Sequence, residues 1–300
     1  MSTRVSQPAQ IGSLPEQATR STSLVGAFLR RFVRNRLAII GALIIGAMII
    51  FAVFAPLIAP YDPLNQDLDH VLEPESVQHL MGTDDLGRDM LSRVIFGARL
   101  SLLAAIYAVG IAFAIGVPVG LLSGYYRGAW DELVVMRIVD AVQAFPFLIL
   151  ALALAATLGA GFGNAMIAIG LGFAPAFVRI VRAQVMSVAS LDYILAASAI
   201  GTRDSRILLR HVLPNSMAPL LVQTTLSMAA GVLAEAGLSF LGLGAQPPTP
   251  SWGQMLSVAQ GYISLAPWLA YWPGLAIFLA VMGFNLIGDG VREALDPRLL

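Results

Sequence analysis

The chain has 300 residues, of which 57% are hydrophobic and only 12% are charged, and its formal net charge is zero. Soluble domains carry about 25% charged residues, so this composition predicts a protein embedded in lipid and argues against nucleic acid as a partner. The chain has no cysteine and no lysine, which excludes disulfides, thiolate catalysis and the phosphate-binding P-loop with its essential lysine.

The N-terminal region predicts a tail followed by one membrane helix. Residues 1–23 are rich in Ser, Thr, Gln and Pro and predict a disordered segment, which together with the basic stretch up to residue 36 forms a tail. Residues 37–59 carry no charge and are long enough to cross a hydrocarbon core, which needs about 20 residues. The apolar core of a secretory signal is only about 7–15 residues long, so an uncleaved first span is predicted.

Five further spans are predicted from the uncharged runs after the acid-rich segment 60–99. The run Ala141 to Val178 is too long for one helix, is broken at Gly159–Asn164, and is expected to kink at Pro146 and Pro175. The expected second to sixth spans are 100–122, two helices within 141–178, 216–234 and 267–287. They form a core over residues 100–290, followed by a tail at 291–300.

The distribution of arginine predicts the orientation of this six-span, all-α membrane protein. All basic residues except Arg88, Arg93 and Arg99 fall on the side that holds both termini. Positive residues mark the cytoplasmic side of a membrane. Both termini and residues 192–215 are therefore predicted to be cytoplasmic, and the acid-rich segment 60–99 is predicted to face outside.

The polar stretch from Asp192 to Asn215 predicts two short helices. Asp192 is expected to cap the first helix and Gly201 to end it in a left-handed turn. A second helix is expected to start near Thr202 or Asp204 and to end by Leu213, because Pro214 disfavours the α conformation in the residue before it. The first helix presents a small-residue surface made of Ala196, Ala197, Ser198 and Ala199.

This stretch resembles the EAA coupling loop of ABC-importer permeases, the membrane subunits through which a separate ATPase drives transport. Ala196-Ala197 and Gly201 fit the pattern E-A-A-x-x-x-G, although Leu195 stands where the family has Glu. The closing segment His211-Val212-Leu213-Pro214-Asn215 also fits. The resemblance implies that the following residues couple this chain to the ATPase: Asp192, Ala196, Ala197, Ser198, Ala199, Gly201, His211, Pro214 and Asn215.

A second resemblance lies in the acid-rich segment. The run from His79 to Arg93 is similar to the signature H-x-x-G-T-D-x-x-G-R-D-x-x-S-R of permeases for dipeptides, oligopeptides and nickel, and the run Asn285 to Leu299 matches the same family. The charged side chains of this run can either bind a solute-binding protein outside or pair with one another and so stabilise the loop. The residues concerned are Asp84, Asp85, Arg88, Asp89 and Arg93.

Together the resemblances imply the type I ABC importer permease fold, in the C-type subunit of a pair. The implied partners are a B-type permease, two ATPase subunits and an extracytoplasmic solute-binding protein, with the bilayer of a bacterial inner membrane around them. The implied function is to form half of a pore for di- or oligopeptides, with nickel or another small solute as the alternative. The chain is expected to bind no cofactor, since ATP and Mg²⁺ belong to the ATPase chains.

The remaining chemistry is sparse. No arrangement predicts catalysis or a metal site, and His70 and His79 match no ligand spacing. Asp140 and Glu235 lie at the margins of apolar runs, where they either contact substrate or pair locally; Arg137 is the expected partner of Asp140.

Two other classes of protein compete with the importer permease. The first is a stand-alone channel or ion-coupled carrier, and the second is a membrane scaffold. A carrier needs ionisable relays in mid-span, and the sequence shows almost none.

Overall fold

The computed structural model describes residues 24–295, and this part of the chain is helical without a β-strand. One isolated bridge joins Thr83 to Asp89. The predicted disordered tail, residues 1–23, and residues 296–300 of the predicted C-terminal tail lie outside the described residues. The α-helices of the described part are α1 (Leu24–Phe32), α2 (Arg36–Val53), α3 (Ala55–Ile58), α4 (Met90–Tyr125), α5 (Met136–Gln143), α6 (Phe147–Leu158), α7 (Phe162–Ala189), α8 (Asp192–Ala199), α9 (Asp204–Ile207), α10 (Leu213–Asn215), α11 (Met217–Phe240), α12 (Trp252–Tyr262) and α13 (Trp268–Leu295).

Five helices in the described residues are long and apolar enough to cross a membrane, namely α2, α4, α7, α11 and α13. A sixth span results if the pair Asp131–Gln143 and Phe147–Leu158, which is bent by 96°, crosses as one unit. Pro146 lies at this bend, as the sequence predicts, because a proline cannot continue the hydrogen-bond ladder. In contrast, α7 runs through Pro175 without a break in the helix.

The helices that contain several of the predicted spans extend beyond the predicted boundaries. The second span starts at Met90 rather than residue 100, because the Asp89 side chain caps the helix by accepting from Ser92 N. The last two spans end at Phe240 and Leu295 rather than residues 234 and 287. An uncharged run measures only the stretch that sits in hydrocarbon, whereas the helix continues into the headgroup region and beyond.

The contact between α4 and α7 forms the centre of the fold, and it depends on glycine. Gly116, Gly120 and Gly124 are one helical turn apart on the face of α4 that meets α7. A Cβ atom at Gly120 would lie 2.7 Å from both Val178 O and Val181 Cβ. The absence of side chains at this spacing lets the two backbones approach closely, as in other small-xxx-small contacts between membrane helices.

The sequence analysis missed the helix α12. It begins where Ser251 accepts a hydrogen bond from Gln254 N, just after a proline-rich stretch at residues 247–250. Trp252 is 1% exposed, and its Nε1 donates to Val94 O of α4. This helix therefore packs on the N-terminal end of α4 and the C-terminal end of α11, and it connects α11 to the last span.

Candidate functional site

The first of the two predicted short helices is present as α8, which runs from Asp192 to Ala199. Only Ile194 is buried in it, whereas Ala196, Ser198 and Ala199 are exposed. Tyr193, Leu195 and Ile200 are also exposed, Ile200 to 83%. The helix thus presents a small-residue surface edged by large apolar side chains, which is a surface that another protein can cover.

The two ends of α8 differ from each other in how well the sequence predicts them. The prediction that Asp192 caps the helix is wrong: the N-cap is Leu191, without a side-chain bond, and Asp192 is the first helical residue, where its charge favours the helix dipole. The prediction for Gly201 is confirmed, since its φ is +79°. Gly201 N donates to Ser198 O and Thr202 N donates to Ala197 O, which together form a Schellman motif.

The expectation that the following helix ends before Pro214 is also wrong. The chain remains helical from Asp204 to Asn215 because a π-turn over Leu208–Val212 separates α9 from α10. A proline has no N–H to donate, and it is tolerated in the first turn of the new helix. Asn215 Nδ2 donates to His211 O (2.6 Å) and to Tyr193 OH (3.2 Å), so the predicted residues Asn215 and His211 tie the end of the loop to α8.

A buried apolar cluster joins the coupling segment, residues 192–215, to the spans. Its members are Ile194, Ile207, Leu208 and Val212 of the coupling segment, Val181, Val185 and Val188 of α7, and Leu121 of α4. Buried aliphatic groups contribute about 1.5–3 kcal/mol each. The coupling segment, the C-terminal end of α4 and the C-terminal end of α7 consequently form one packed body.

Sequence reasoning missed a polar contact that reinforces this body. The hydroxyls of Tyr125 and Tyr126, at the end of α4, each donate to one carboxylate oxygen of Asp204, at distances of 2.9 Å. Tyr126 lies just after the end of the helix, and its hydrogen bond to Asp204 raises the pKa of its hydroxyl. No spacing rule links residues this far apart in sequence, so only the fold could reveal the contact, called here the tyrosine clamp.

Most of the predicted charged residues in the acid-rich segment are buried and paired with one another. Asp84 accepts from Leu86 N, from Arg88 N (both 2.9 Å) and from Arg88 Nε (2.7 Å), and lies 3.3 Å from Arg93 Nε. Asp89 contacts His79 Nδ1 at 3.0 Å and accepts from Ser92 N and Oγ. This geometry favours the structural interpretation of the stretch over docking, because most of its charge is turned inward.

Asp85 differs from its neighbours because it is half-buried and its Oδ1 accepts no hydrogen bond within the described residues. Burial, followed by the charge of Asp84, raises the pKa of this carboxyl. Of the predicted set, Asp85 is the residue best placed to meet another protein.

Replacement of Asp84 with alanine should destabilise this segment by about 3–5 kcal/mol, because it leaves the Arg93 side chain buried without a counter-charge and leaves Arg88 only Asp85 at 3.6 Å. Thermal unfolding of the purified protein in detergent measures the loss. Asp69→Ala is the matched control, since Asp69 is exposed and makes no side-chain ion pair in the described residues. Equal unfolding temperatures for the two variants would contradict the structural role.

A second pair in the acid-rich segment joins His70 to Asp67. His70 Nδ1 lies 2.8 Å from Asp67 Oδ2, and this hydrogen bond raises the pKa of His70 and lowers the pKa of Asp67. The pair therefore stabilises the folded state fully at a pH below the ordinary histidine pKa and above the ordinary aspartate pKa. This stabilisation is lost as the pH rises through the raised pKa of His70. Asp67→Asn should return the His70 pKa towards its ordinary value in histidine NMR spectra, more than Asp69→Asn does.

The two acids near the ends of apolar runs have different environments. Asp140 is exposed and pairs with Arg179 at 2.7 Å, so the expected pair with Arg137 is wrong. The helices α5 and α7 pack against each other and bring Arg179 within reach of Asp140. Glu235 is 0% exposed, accepting from Ser101 Oγ (3.1 Å) and Ser239 Oγ (2.6 Å), with Ser251 also bonded to it. Glu235 is therefore paired locally with serine hydroxyls, which is one of the two alternatives that the sequence leaves open, and in this conformation its carboxyl group does not meet a passing solute.

A search of residues 24–295 finds no group of three or more His, Asp or Glu residues that could hold a metal ion. The rings of His70 and His79 have centroids 6.3 Å apart, but each histidine pairs with a different carboxylate, His70 with Asp67 and His79 with Asp89.

Comparison with known proteins identifies the family. The family described as binding-protein-dependent transport system inner membrane component matches residues 116–300, and the N-terminal TM domain of oligopeptide transport permease C matches residues 23–74. The chain belongs to the family of binding-protein-dependent transport system inner membrane components.

Similar curated proteins cover nearly the whole chain. The dipeptide transport system permease protein DppC of Alkalihalophilus pseudofirmus is 44% identical, with 95% of this chain and 93% of that protein covered. The glutathione transport system permease protein GsiD of Escherichia coli is 48% identical, with 91% and 90% covered. The membrane subunit fold is shared with the inward-facing MetNI methionine ABC transporter, at a TM-score of 0.58 and 23% identity over 69% of this chain and 98% of that one.

These findings confirm the resemblance, the fold class and the importer function that the sequence predicts. The permease is a multi-pass protein of the bacterial inner membrane and works with ATPase and binding-protein partners. Its relatives are transport permeases rather than enzymes.

Proposed function

We propose that this permease forms half of the translocation pore for di- or oligopeptides, paired with a B-type permease. The names of the relatives support a peptide substrate, since they are permeases for dipeptide and for glutathione. The match to an oligopeptide permease C domain over residues 23–74 supports the C-type position in the pair. A bundle of six spans is small for a peptide path, which favours a second permease around the same path.

The observation that carries the mechanism is that α8, with its exposed small-residue surface, is packed into one body with α4 and α7. In the proposed mechanism, two ATPase subunits bind ATP and Mg²⁺, close on each other, and displace α8. The packed body transmits that displacement to the long spans, which alternate between inward-open and outward-open states. The ATPase must bind α8 differently in the two states, because equal binding would shift no equilibrium.

The proposed orientation places both termini and the coupling segment in the cytoplasm. The concentration of arginine around the coupling segment supports it: Arg203, Arg206 and Arg210 are exposed, and among the described residues they make no ion pair. These three arginines line an open cavity of about 690 Å³ next to Gly201. A cytoplasmic, positively charged cavity beside α8 suits contact with the ATPase.

Purification in mild detergent tests the proposed assembly. The tagged permease should recover an ATPase and a second permease, and the complex in proteoliposomes should take up peptide when ATP and the loaded binding protein are added. The ligand carried by the co-encoded binding protein, identified by mass spectrometry, should be a peptide. Recovery of the permease alone, or a binding protein loaded with nickel, would overturn the proposal.

Gly201→Val should uncouple transport from ATP hydrolysis. A β-branched residue at a φ of +79° is strained by about 1–2 kcal/mol or more, so the Schellman turn opens and α8 loses its fixed position. Uptake should fall about tenfold for a shift of about 1.4 kcal/mol, while membrane insertion is retained because no neighbouring atom lies within 4 Å of a Cβ at this glycine.

Gly201→Asn is the matched control for that variant, since asparagine tolerates the left-handed conformation. Uptake by the asparagine variant should stay near the wild-type level. If valine and asparagine give the same uptake per ATP, the backbone turn at Gly201 has no role in coupling.

A further inference from the structure

One face of α11 is not covered by the rest of the chain. Residues 219, 223, 226, 230, 233 and 237 of this helix are three or four positions apart and therefore share a face. Leu226 is 42% exposed and Leu233 is 59% exposed. Glu235 and Ser239 lie on the opposite face, which packs against α4 and α12. We call the uncovered face the α11 stripe.

Two cavities adjoin the α11 stripe, one above the other. The outer cavity, of about 510 Å³, is lined by apolar residues that include Phe147, Leu148, Leu233 and Phe240. The inner cavity, of about 640 Å³, lies near the start of α11, between the end of α7 and the end of α13. Both cavities are lined by residues of the same helix face, so the α11 stripe is accessible to a solute at two positions along its length.

The inner cavity has a lining unlike that of the outer one. Three carboxamides and one guanidinium contribute to it, from Gln184, Asn215, Gln223 and Arg292, and none of its described lining residues is an acid. It lies next to the coupling segment, since Asn215 belongs to both. Any movement of the coupling segment therefore changes the shape of this cavity.

Much of the hydrogen-bonding capacity in the inner cavity is unused. The Gln223 amide donates to Ser227 Oγ and the Asn215 amide donates to His211 O and Tyr193 OH, which leaves both side-chain carbonyl oxygens without a donor in the described residues. Within residues 24–295, the Gln184 side chain makes no hydrogen bond and Arg292 makes no ion pair. These groups are available to a ligand.

The available groups complement a peptide main chain. Amide carbonyls accept from peptide N–H groups, amide N–H groups donate to peptide carbonyls, and a guanidinium binds a carboxylate through two parallel hydrogen bonds. We propose that the inner cavity receives the main chain and C-terminal carboxylate of the transported peptide at the cytoplasmic end of the path. This proposal rests on the proposed peptide function and deepens it.

Single cysteines test the location of the path, and the natural chain provides a background without cysteine. In inside-out vesicles containing the whole transporter, Gln223→Cys should react with a membrane-impermeant maleimide when nucleotide is absent. The reaction should slow at least tenfold when vanadate and ATP trap the closed ATPase, and also when a transported dipeptide is added in excess. Thr224→Cys is the control, because Thr224 lies off the α11 stripe with its hydroxyl bonded to Leu220 O, and it should stay unreactive.

A transport assay tests the chemistry of the cavity. Arg292→Gln should lower uptake of a dipeptide with a free carboxylate about tenfold at saturating loaded binding protein, and should leave uptake of the same dipeptide with an amidated C-terminus unchanged. Arg137→Gln is the control, since Arg137 is exposed, makes no ion pair in the described residues and does not line the cavity.

Three outcomes would overturn the inference while leaving the importer function intact. Gln223→Cys could be unreactive in both states and cross-link to the second permease, which would make the α11 stripe a subunit interface. Its reaction could respond to anionic lipid but not to peptide, which would make the cavity a headgroup site. Arg292→Gln could lower uptake of both dipeptides equally. The absence of any peptide uptake by the wild-type complex would instead overturn the proposed function itself.

Discussion

Gly120→Leu should prevent α4 and α7 from packing and should abolish the folded permease. A Cβ atom at Gly120 already lies 2.7 Å from Val178 O and Val181 Cβ, and both neighbours belong to a helix that cannot withdraw without opening the core. Overpacking a well-packed contact costs about 1–3 kcal/mol and occasionally more. Leucine adds three further carbons to a position without room for one, so we expect a value at or above the top of this range.

Thermal unfolding in detergent and the amount of permease recovered with its partners measure that effect. Gly110→Leu is the matched control on the same helix, because Gly110 is exposed and no atom lies within 4 Å of a Cβ built there. The control should be recovered at wild-type levels, since leucine also has a better helix propensity than glycine. Normal recovery of Gly120→Leu would show that α4 and α7 are not held together at this contact.

Removal of the tyrosine clamp should uncouple ATP hydrolysis from uptake. Tyr125→Phe together with Tyr126→Phe deletes two hydrogen bonds to the Asp204 carboxylate, and bonds to a charged group contribute about 1.5–3 kcal/mol each. The coupling segment then remains attached to α4 and α7 through the apolar cluster alone. The number of peptides transported per ATP should fall about tenfold, whereas binding of the ATPase should persist because α8 is unchanged.

The comparison of ATP hydrolysis and peptide uptake in proteoliposomes distinguishes uncoupling from unfolding. Tyr107→Phe serves as the control, since Tyr107 is on the same helix, is 54% exposed and is not bonded to the coupling segment. Asp204→Asn should reproduce part of the defect, because it keeps the shape but removes the charge. A parallel decrease in hydrolysis and uptake would mean that the clamp only stabilises the fold.

The sequence predicted most accurately what local rules decide. The presence of α8 and the left-handed turn at Gly201 follow from residues within one or two helical turns, and both are as predicted. The helix ends at Met90 and Leu295 were predicted poorly, because charge marks the edge of the hydrocarbon and not the end of a helix. Pro214 was misjudged for a similar reason, since a π-turn removes the constraint that the α-helix rule assumes.

Contacts between distant parts of the chain could not be predicted from spacing. The pairing of Asp140 with Arg179 rather than Arg137, and the clamp on Asp204, both depend on which helices become neighbours. One tertiary contact did have a signal in the sequence. Gly116, Gly120 and Gly124 recur at intervals of four within an apolar run, a pattern that indicates a close helix contact in membranes.

We propose above all that α8 is the part of this permease to which the ATPase binds. A single cysteine in place of the exposed Ala196, labelled with a benzophenone maleimide, can be irradiated in native membranes, because the chain has no other cysteine. The account predicts one major cross-linked product that contains the ATPase and whose yield changes when ATP and vanadate are added. A labelled cysteine that cross-links to lipid alone, or to the ATPase with the same yield in every nucleotide state, would contradict it.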